Sequence, residues 1–189
     1  MYWILMSERS DEKELEIDGI PKIVEDLDLN FDYGINMNKS IPVIDILYSV
    51  NGGKSKTDNI VVAPRIGLLI NKKVRDILDS LNINNIEYYS TRLINKSNDE
   101  IDEDYKIANI IGQIECVDKK NSELEFYADG EIEFIDKLVL NLEKDKHYGH
   151  IFRLSEFLPL IVISNSLKTK IEEEKITGFK IYAPKDFCL

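Results

Sequence analysis

The sequence predicts an α+β protein in which a few helices pack on a mixed or antiparallel sheet. Three observations predict it. Short runs rich in Ile, Val and Leu alternate with turn residues along most of the chain, which suits strands. Residues 72–81 carry helical spacing, with Val74, Ile77, Leu78 and Leu81 on one face. A strand–helix–strand pattern occurs twice, over 68–89 and 161–182, and aligns without gaps. In that alignment Ile70, Ile83 and Tyr89 match Ile163, Ile176 and Tyr182. Val74, Leu78 and Ile86 fall on Leu167, Ile171 and Phe179.

Taken in order, residues 1–6 are largely apolar and form a first strand. Residues 8–32 hold ten carboxylates against three basic side chains and are interrupted by Gly19 and Pro21. This composition predicts an exposed, partly irregular arm rather than a packed helix. Residues 41–50 are apolar enough to be buried, as helix or strand, and Asn51-Gly52-Gly53 marks a turn. Residues 60–63 and 66–70 read as short buried strands on either side of Pro64. The helix 72–81 follows, with Asn71 as N-cap and Asn85 as a left-handed stop; Ser164 and Gly178 take the same places in the second unit. A strand 86–94, a polar loop 95–104 and an apolar β-branched run 107–117 come next. Asp129-Gly130 between alternating segments signals a hairpin.

The 189 residues fit one domain, with residues 1–65 forming its acidic N-terminal part. A formal net charge of -11 repels phosphate backbones and anionic lipid surfaces, so nucleic-acid and membrane partners are disfavoured. No run has the roughly 18 to 20 apolar residues of a membrane-spanning helix, and residues 1–6 are too short for a signal-peptide core. Cys116 and Cys188 do not make a disulfide framework and read as thiols in a reducing cytosol.

The chain offers no recognisable catalytic constellation. Gly53-Lys54-Ser55 resembles the end of a phosphate loop, but Tyr48 stands where that loop needs its first glycine. His147 and His150, with Asp145 nearby, lack the three or four converging ligands of a metal site and sit beside Gly149, in a loop. Cys116 lies in an apolar run that raises rather than lowers a thiol pKa. No cofactor or metal is expected.

The C-terminal half carries an ordered series of signatures: Glu115-Cys116-Val117-Asp118, Ser122-Glu123, Asp129-Gly130, Ile151-Phe152-Arg153-Leu154, Ile161-Val162-Ile163-Ser164 and Gly178-Phe179. In order and spacing this series resembles the Imm-eleven type immunity-protein domain of bacterial polymorphic toxin systems, over residues 66–182. The resemblance implies a cytoplasmic, non-enzymatic protein that binds and neutralises a cognate toxin domain. It brings no catalytic residues; Asp118, Ser122, Gly130, Arg153, Ser164 and Gly178 match as scaffold, with Arg153 expected to pair with Asp118. An inhibitor of a toxin that handles an anionic substrate does well to present carboxylates to a basic cleft. Asp26, Asp28 and Asp32, and the cluster Asp99, Glu100, Asp102, Glu103 and Asp104, are the candidate contacts. The rival readings are an enzyme reversing a toxin's product and a defence-associated adaptor.

Overall fold

The computed structural model describes residues 1–9, 15–50, 56–143 and 146–189. The turn at Asn51-Gly52-Gly53, the phosphate-loop-like Gly53-Lys54-Ser55 and Asp145 therefore lie outside the described residues. The elements in chain order are β1 (Tyr2–Ser7), β2 (Glu16–Ile17), α1 (Lys22–Asp26), β3 (Ile44–Ser49), β4 (Asn59–Ile60), β5 (Leu68–Ile70) and α2 (Lys72–Ser80). There follow β6 (Ile86–Asn95), β7 (Ile101–Asp102), β8 (Lys106–Ile110), β9 (Gln113–Ile114), β10 (Glu123–Phe126) and β11 (Ile132–Lys137). The chain continues through β12 (Ile151–Leu154), β13 (Ile161–Ser164), α3 (Asn165–Glu173), β14 (Phe179–Tyr182) and a 3-10 turn at Pro184–Asp186. The fold is mostly β with a few short helices.

One mixed sheet has the order β14-β1-β13-β12-β9, and a second the order β2-β3-β6-β8-β5-β4 with β7 on the end of β6. Strands β10 and β11 form a separate antiparallel hairpin. Strand β8 runs between β5 and β6, with Ala108 opposite both Leu68 and Tyr88. Strand β1 runs between β13 and β14, with Leu5 opposite both Ile161 and Ile181.

Three apolar layers follow from the two faces of each strand. Leu68 and Ile70 of β5, Leu5 of β1, and Ile161 and Ile163 of β13 join Val74 and Leu78 of α2 and Leu167 and Ile171 of α3 in one core. The alternate residues turn the other way. Leu69 and Ile107 meet Ile44, Ile46 and Leu93 in a second core. Ile4 and Val162 meet Phe152, Ile132, Ile135 and Leu138 in a third. Strands buried on both faces are continuously apolar, which explains the Leu68-Leu69-Ile70 and Ile161-Val162-Ile163 runs.

Both nine-residue helices are capped as their sequences predict. The Asn71 side chain accepts from the Val74 N–H and the Ser164 hydroxyl from the Leu167 N–H. The first residues to turn left-handed after each helix are Asn82 (φ 53°) and Lys175 (φ 52°); Asn85 does not turn so, and Gly178 does (φ 85°) but three residues beyond Lys175. The Asn85 side chain instead donates to the carbonyls of Ile111 (2.7 Å) and Ile151 (2.9 Å), joining the two sheets.

Two further expectations are corrected. The described part of the acidic segment, residues 8–9 and 15–32, is no exposed arm: Leu15, Val24, Leu29 and Phe31 are buried in the second core. Their spacing has neither helical nor strand period, so counting charges hid them. The loop expected over 95–104 contains β7, whose Ile101 and Asp102 pair with Ile94 and Leu93.

Candidate partner-binding surface

The carboxylates proposed as contacts divide by what already holds them. Asp26 pairs with Lys22 at 2.6 Å and Asp28 with Arg65 at 2.7 Å. Asp32 accepts from the Arg65 backbone N–H at 2.7 Å and lies 3.2 Å from the Arg153 guanidinium. In the second cluster Asp102 pairs with Lys56 at 2.7 Å. Burial raises the Asp102 pKa, but the bonds from Lys56 and the Asp104 N–H outweigh it and leave the carboxyl below its usual range. Asp104 sits at the N-terminus of α2, accepting from the Lys72 N–H at 3.3 Å and facing Arg75 at 3.5 Å. Asp99, Glu100 and Glu103 have no ion pair among the described residues, and they surround the exposed Ile101.

The residues matched as scaffold each hold part of the fold. Arg153 is 1% exposed and donates to the Leu158 carbonyl (2.9 Å), the Phe31 carbonyl (3.1 Å) and Asp32 (3.2 Å). Its partner is therefore Asp32 rather than Asp118. Burial lowers the Arg153 pKa and the nearby Asp32 charge opposes that shift. Asp118 is spent on its own turn, accepting from Asn121 Nδ2 and from the N–H groups of Lys120 and Asn121. The Asn121 side-chain bond, together with these N–H bonds, holds the Asp118 carboxyl low. Ser122 Oγ accepts from the Val139 N–H at 2.9 Å. Gly130 turns the β10–β11 hairpin at φ 89°, with open space where a Cβ would stand. The Ser164 hydroxyl, besides capping α3, lies 2.8 Å from His150 Nδ1. At Gly178 (φ 85°) a Cβ would fall inside the carbonyl of Asn59.

Burial, with Glu156 adding to it, pushes the Cys116 thiol up to about 12. His147 and His150 contact edge to face at 5.3 Å, and no group of three metal-ligating side chains occurs among the described residues. A 590 Å³ cleft is lined by Tyr2, Trp3, Leu138, Leu140, Leu142 and Pro184, with Glu143 and Lys146 paired to each other at 3.7 Å on its wall. Its lining is mostly apolar, with Glu143, Lys146 and Lys185 as its charged side chains, which suits an apolar contact. No helix among the described residues is long and apolar enough to cross a membrane.

A further concentration of carboxylates was not singled out in the sequence. Glu125, Asp129, Glu131, Glu133 and Asp136 lie on the β10–β11 hairpin, and none has an ion pair among the described residues. Phe126, Tyr127, Ala128, Gly130, Ile132, Phe134 and Ile135 separate them, so they form no run of charge. The signal that finds them is carboxylates interspersed with apolar residues on both sides of the Asp129-Gly130 turn.

These features define a class: a small, mostly β scaffold with a few short helices that presents carboxylates without an ion pair and exposed apolar side chains on loops and a hairpin. Comparison with family models then identifies it. Residues 54–186 match the immunity protein family Imm11, and the chain belongs to that family. No curated protein matches the chain. Immunity proteins of this family imply a toxin as partner.

Proposed function

We propose that this protein neutralises its cognate toxin by stoichiometric binding, that the bound toxin domain is basic, and that the complex forms in the cytoplasm without cofactor or catalysis. The observation that carries the reading is the charge distribution. Asp99, Glu100 and Glu103 around Ile101, and Glu125, Asp129, Glu131, Glu133 and Asp136 of the hairpin, have no ion pair among the described residues, so their field is open to an incoming basic surface. The same field disfavours nucleic acid and anionic membranes as partners.

In this reading the chain is one domain and its two strand–helix–strand units are copies of one design. Support comes from the caps at Asn71 and Ser164, the left-handed residues Asn82 and Lys175, and the matching registers about Ala108 and Leu5. The units make a platform, and the partner meets what projects from it.

The deciding experiment is co-expression with the product of the neighbouring toxin reading frame. Rescue of growth together with a one-to-one complex on a sizing column is expected. Rescue without a complex would favour the enzymatic rival. Replacing Asp99, Glu100 and Glu103 by Asn and Gln is expected to slow association several-fold at low ionic strength, with the difference closing at high salt. Unchanged association at low salt would remove this cluster from the interface.

A further inference from the structure

We propose that the β10–β11 hairpin is the docking finger of this protein, received by a groove of the toxin domain lined with Lys and Arg; this rests on the neutralising reading above. The ladder between the two strands slips twice, leaving Glu133 and Asp136 as extra residues on β11. The slips give β11 a repeat of three, so that Ile132, Ile135 and Leu138 all reach the core. Phe134 is left over and turned outward opposite Glu125, 50% exposed. Phe126, opposite Ile132, and Tyr127 at the turn are 45% and 52% exposed. Four aromatic side chains are exposed among the described residues, and only Tyr33 is not on this hairpin. Rigid aromatic side chains at low entropy cost are the usual anchors of protein interfaces, and here they occur together on one ribbon. One face of the ribbon is held on the core by Leu124, Ile132 and Ile135, so what a groove can receive is Phe134 on the outer face together with Phe126 and Tyr127 at the turn end.

The charge selects the occupant. Residues 121–137 hold six carboxylates and one lysine, and that lysine, Lys137, faces Glu123 at 3.5 Å. A second copy of this chain, itself of net charge -11, would set like charges against each other, and a nucleic acid would do the same. A cationic protein groove satisfies both the aromatics and the acids. The hairpin thus adds a role that Asp99, Glu100 and Glu103 lack: both sets of carboxylates speed encounter, and the aromatic side chains of the finger hold the complex once formed.

The test uses the full chain and a catalytically inactivated toxin domain from the neighbouring reading frame, with rates read by interferometry. Three variants are compared with wild type: Phe126→Ala/Tyr127→Ala/Phe134→Ala, Glu125→Gln/Asp129→Asn/Glu131→Gln, and Tyr33→Ala as an exposed aromatic elsewhere. Melting temperatures of all four should agree, because the replaced side chains are exposed. The aromatic variant is expected to dissociate at least about tenfold faster with little change in association. The carboxylate variant should associate several-fold more slowly at low salt only. Tyr33→Ala should stay within about twofold of wild type on both rates. Wild-type rates for both hairpin variants would overturn the proposal while leaving the neutralising reading intact. A wild-type chain that does not bind the toxin domain at all would bring down that reading itself. If sedimentation shows a concentration-dependent dimer that the aromatic variant abolishes, and toxin rates stay unchanged, the hairpin is a self-association surface and the proposal fails.

Discussion

Replacing Arg153 separates a structural role from an interface role, and its size can be worked from the contacts. The guanidinium donates to the carbonyls of Phe31 and Leu158 and to Asp32, and its Nε has no partner among the buried groups. In Arg153→Ala the two carbonyls lose a donor, at about 1–3 kcal/mol each where water cannot reach them. Asp32 is partly exposed and keeps the Arg65 N–H, so it is left less destitute. Relief of the orphaned Nε and of cation desolvation offsets part of the loss. Breaking a buried pair from one side typically costs about 3–5 kcal/mol, and the present contacts are consistent with that range. For a chain of this length the melting temperature should fall by about 6–20 °C. Arg153→Met, which retains much of the volume, should recover part of the packing but not the hydrogen bonds. The assay is urea and thermal unfolding of Arg153→Ala, Asp32→Asn and the double variant, which together isolate the coupling. Asp32→Asn is expected to be milder, about 1–3 kcal/mol, and nearly silent once Arg153 is gone. A melting temperature unchanged within about 2 °C, accompanied by weaker toxin binding, would refute the structural role and place Arg153 in an interface.

Three more outcomes test the fold. Phe31→Ala should cost about 3–5 kcal/mol, because its ring is fully buried in the second core; a loss below about 1 kcal/mol would restore the exposed-arm reading of 8–32. Gly178→Ala should cost about 2–6 kcal/mol, combining left-handed strain with the collision at Asn59, whereas Gly130→Ala should cost no more than about 1–3, since open space surrounds it; equal losses in unfolding experiments would contradict the close approach. Asp58 accepts from the Thr177 N–H and hydroxyl and from Asn71, and although burial alone would raise its pKa these bonds leave it below the usual range. A carboxyl lowered on folding stabilises above its unfolded value, near 3.9, and loses that contribution as pH falls through the folded value. Asp58→Asn should therefore destabilise at pH 7 and flatten the acid limb of the urea midpoint below about pH 4; an unchanged limb would exclude Asp58 as a source.

The parts of the fold legible in the sequence were those with a short-range physical signature. Helix α2 announces itself by its apolar face and by Asn71, and α3 by Ser164, because capping and amphipathicity act within one or two turns. What stayed hidden depends on partners distant in sequence. Nothing local says that Asn85 will serve the carbonyls of Ile111 and Ile151 rather than end a helix, or that Arg153 will reach across to Phe31 and Asp32. The N-terminal segment shows the same limit: its carboxylates dominate the composition, while the four side chains that anchor it follow no period.

The acidic surface shows why counting charge along a chain does not locate an interface. Five of the eight carboxylates first singled out, Asp26, Asp28, Asp32, Asp102 and Asp104, are paired with Lys22, Arg65, Arg153, Lys56 and Arg75, and a charge already matched contributes less field outside the molecule. The hairpin carboxylates Glu125, Asp129, Glu131, Glu133 and Asp136 never form a run, yet folding brings them onto one ribbon with almost no cation nearby. A basic partner responds to that uncompensated density, not to sequence adjacency. Steering therefore concentrates where the fold has failed to neutralise itself, and the hairpin is the place where such density coincides with aromatic side chains able to hold what arrives.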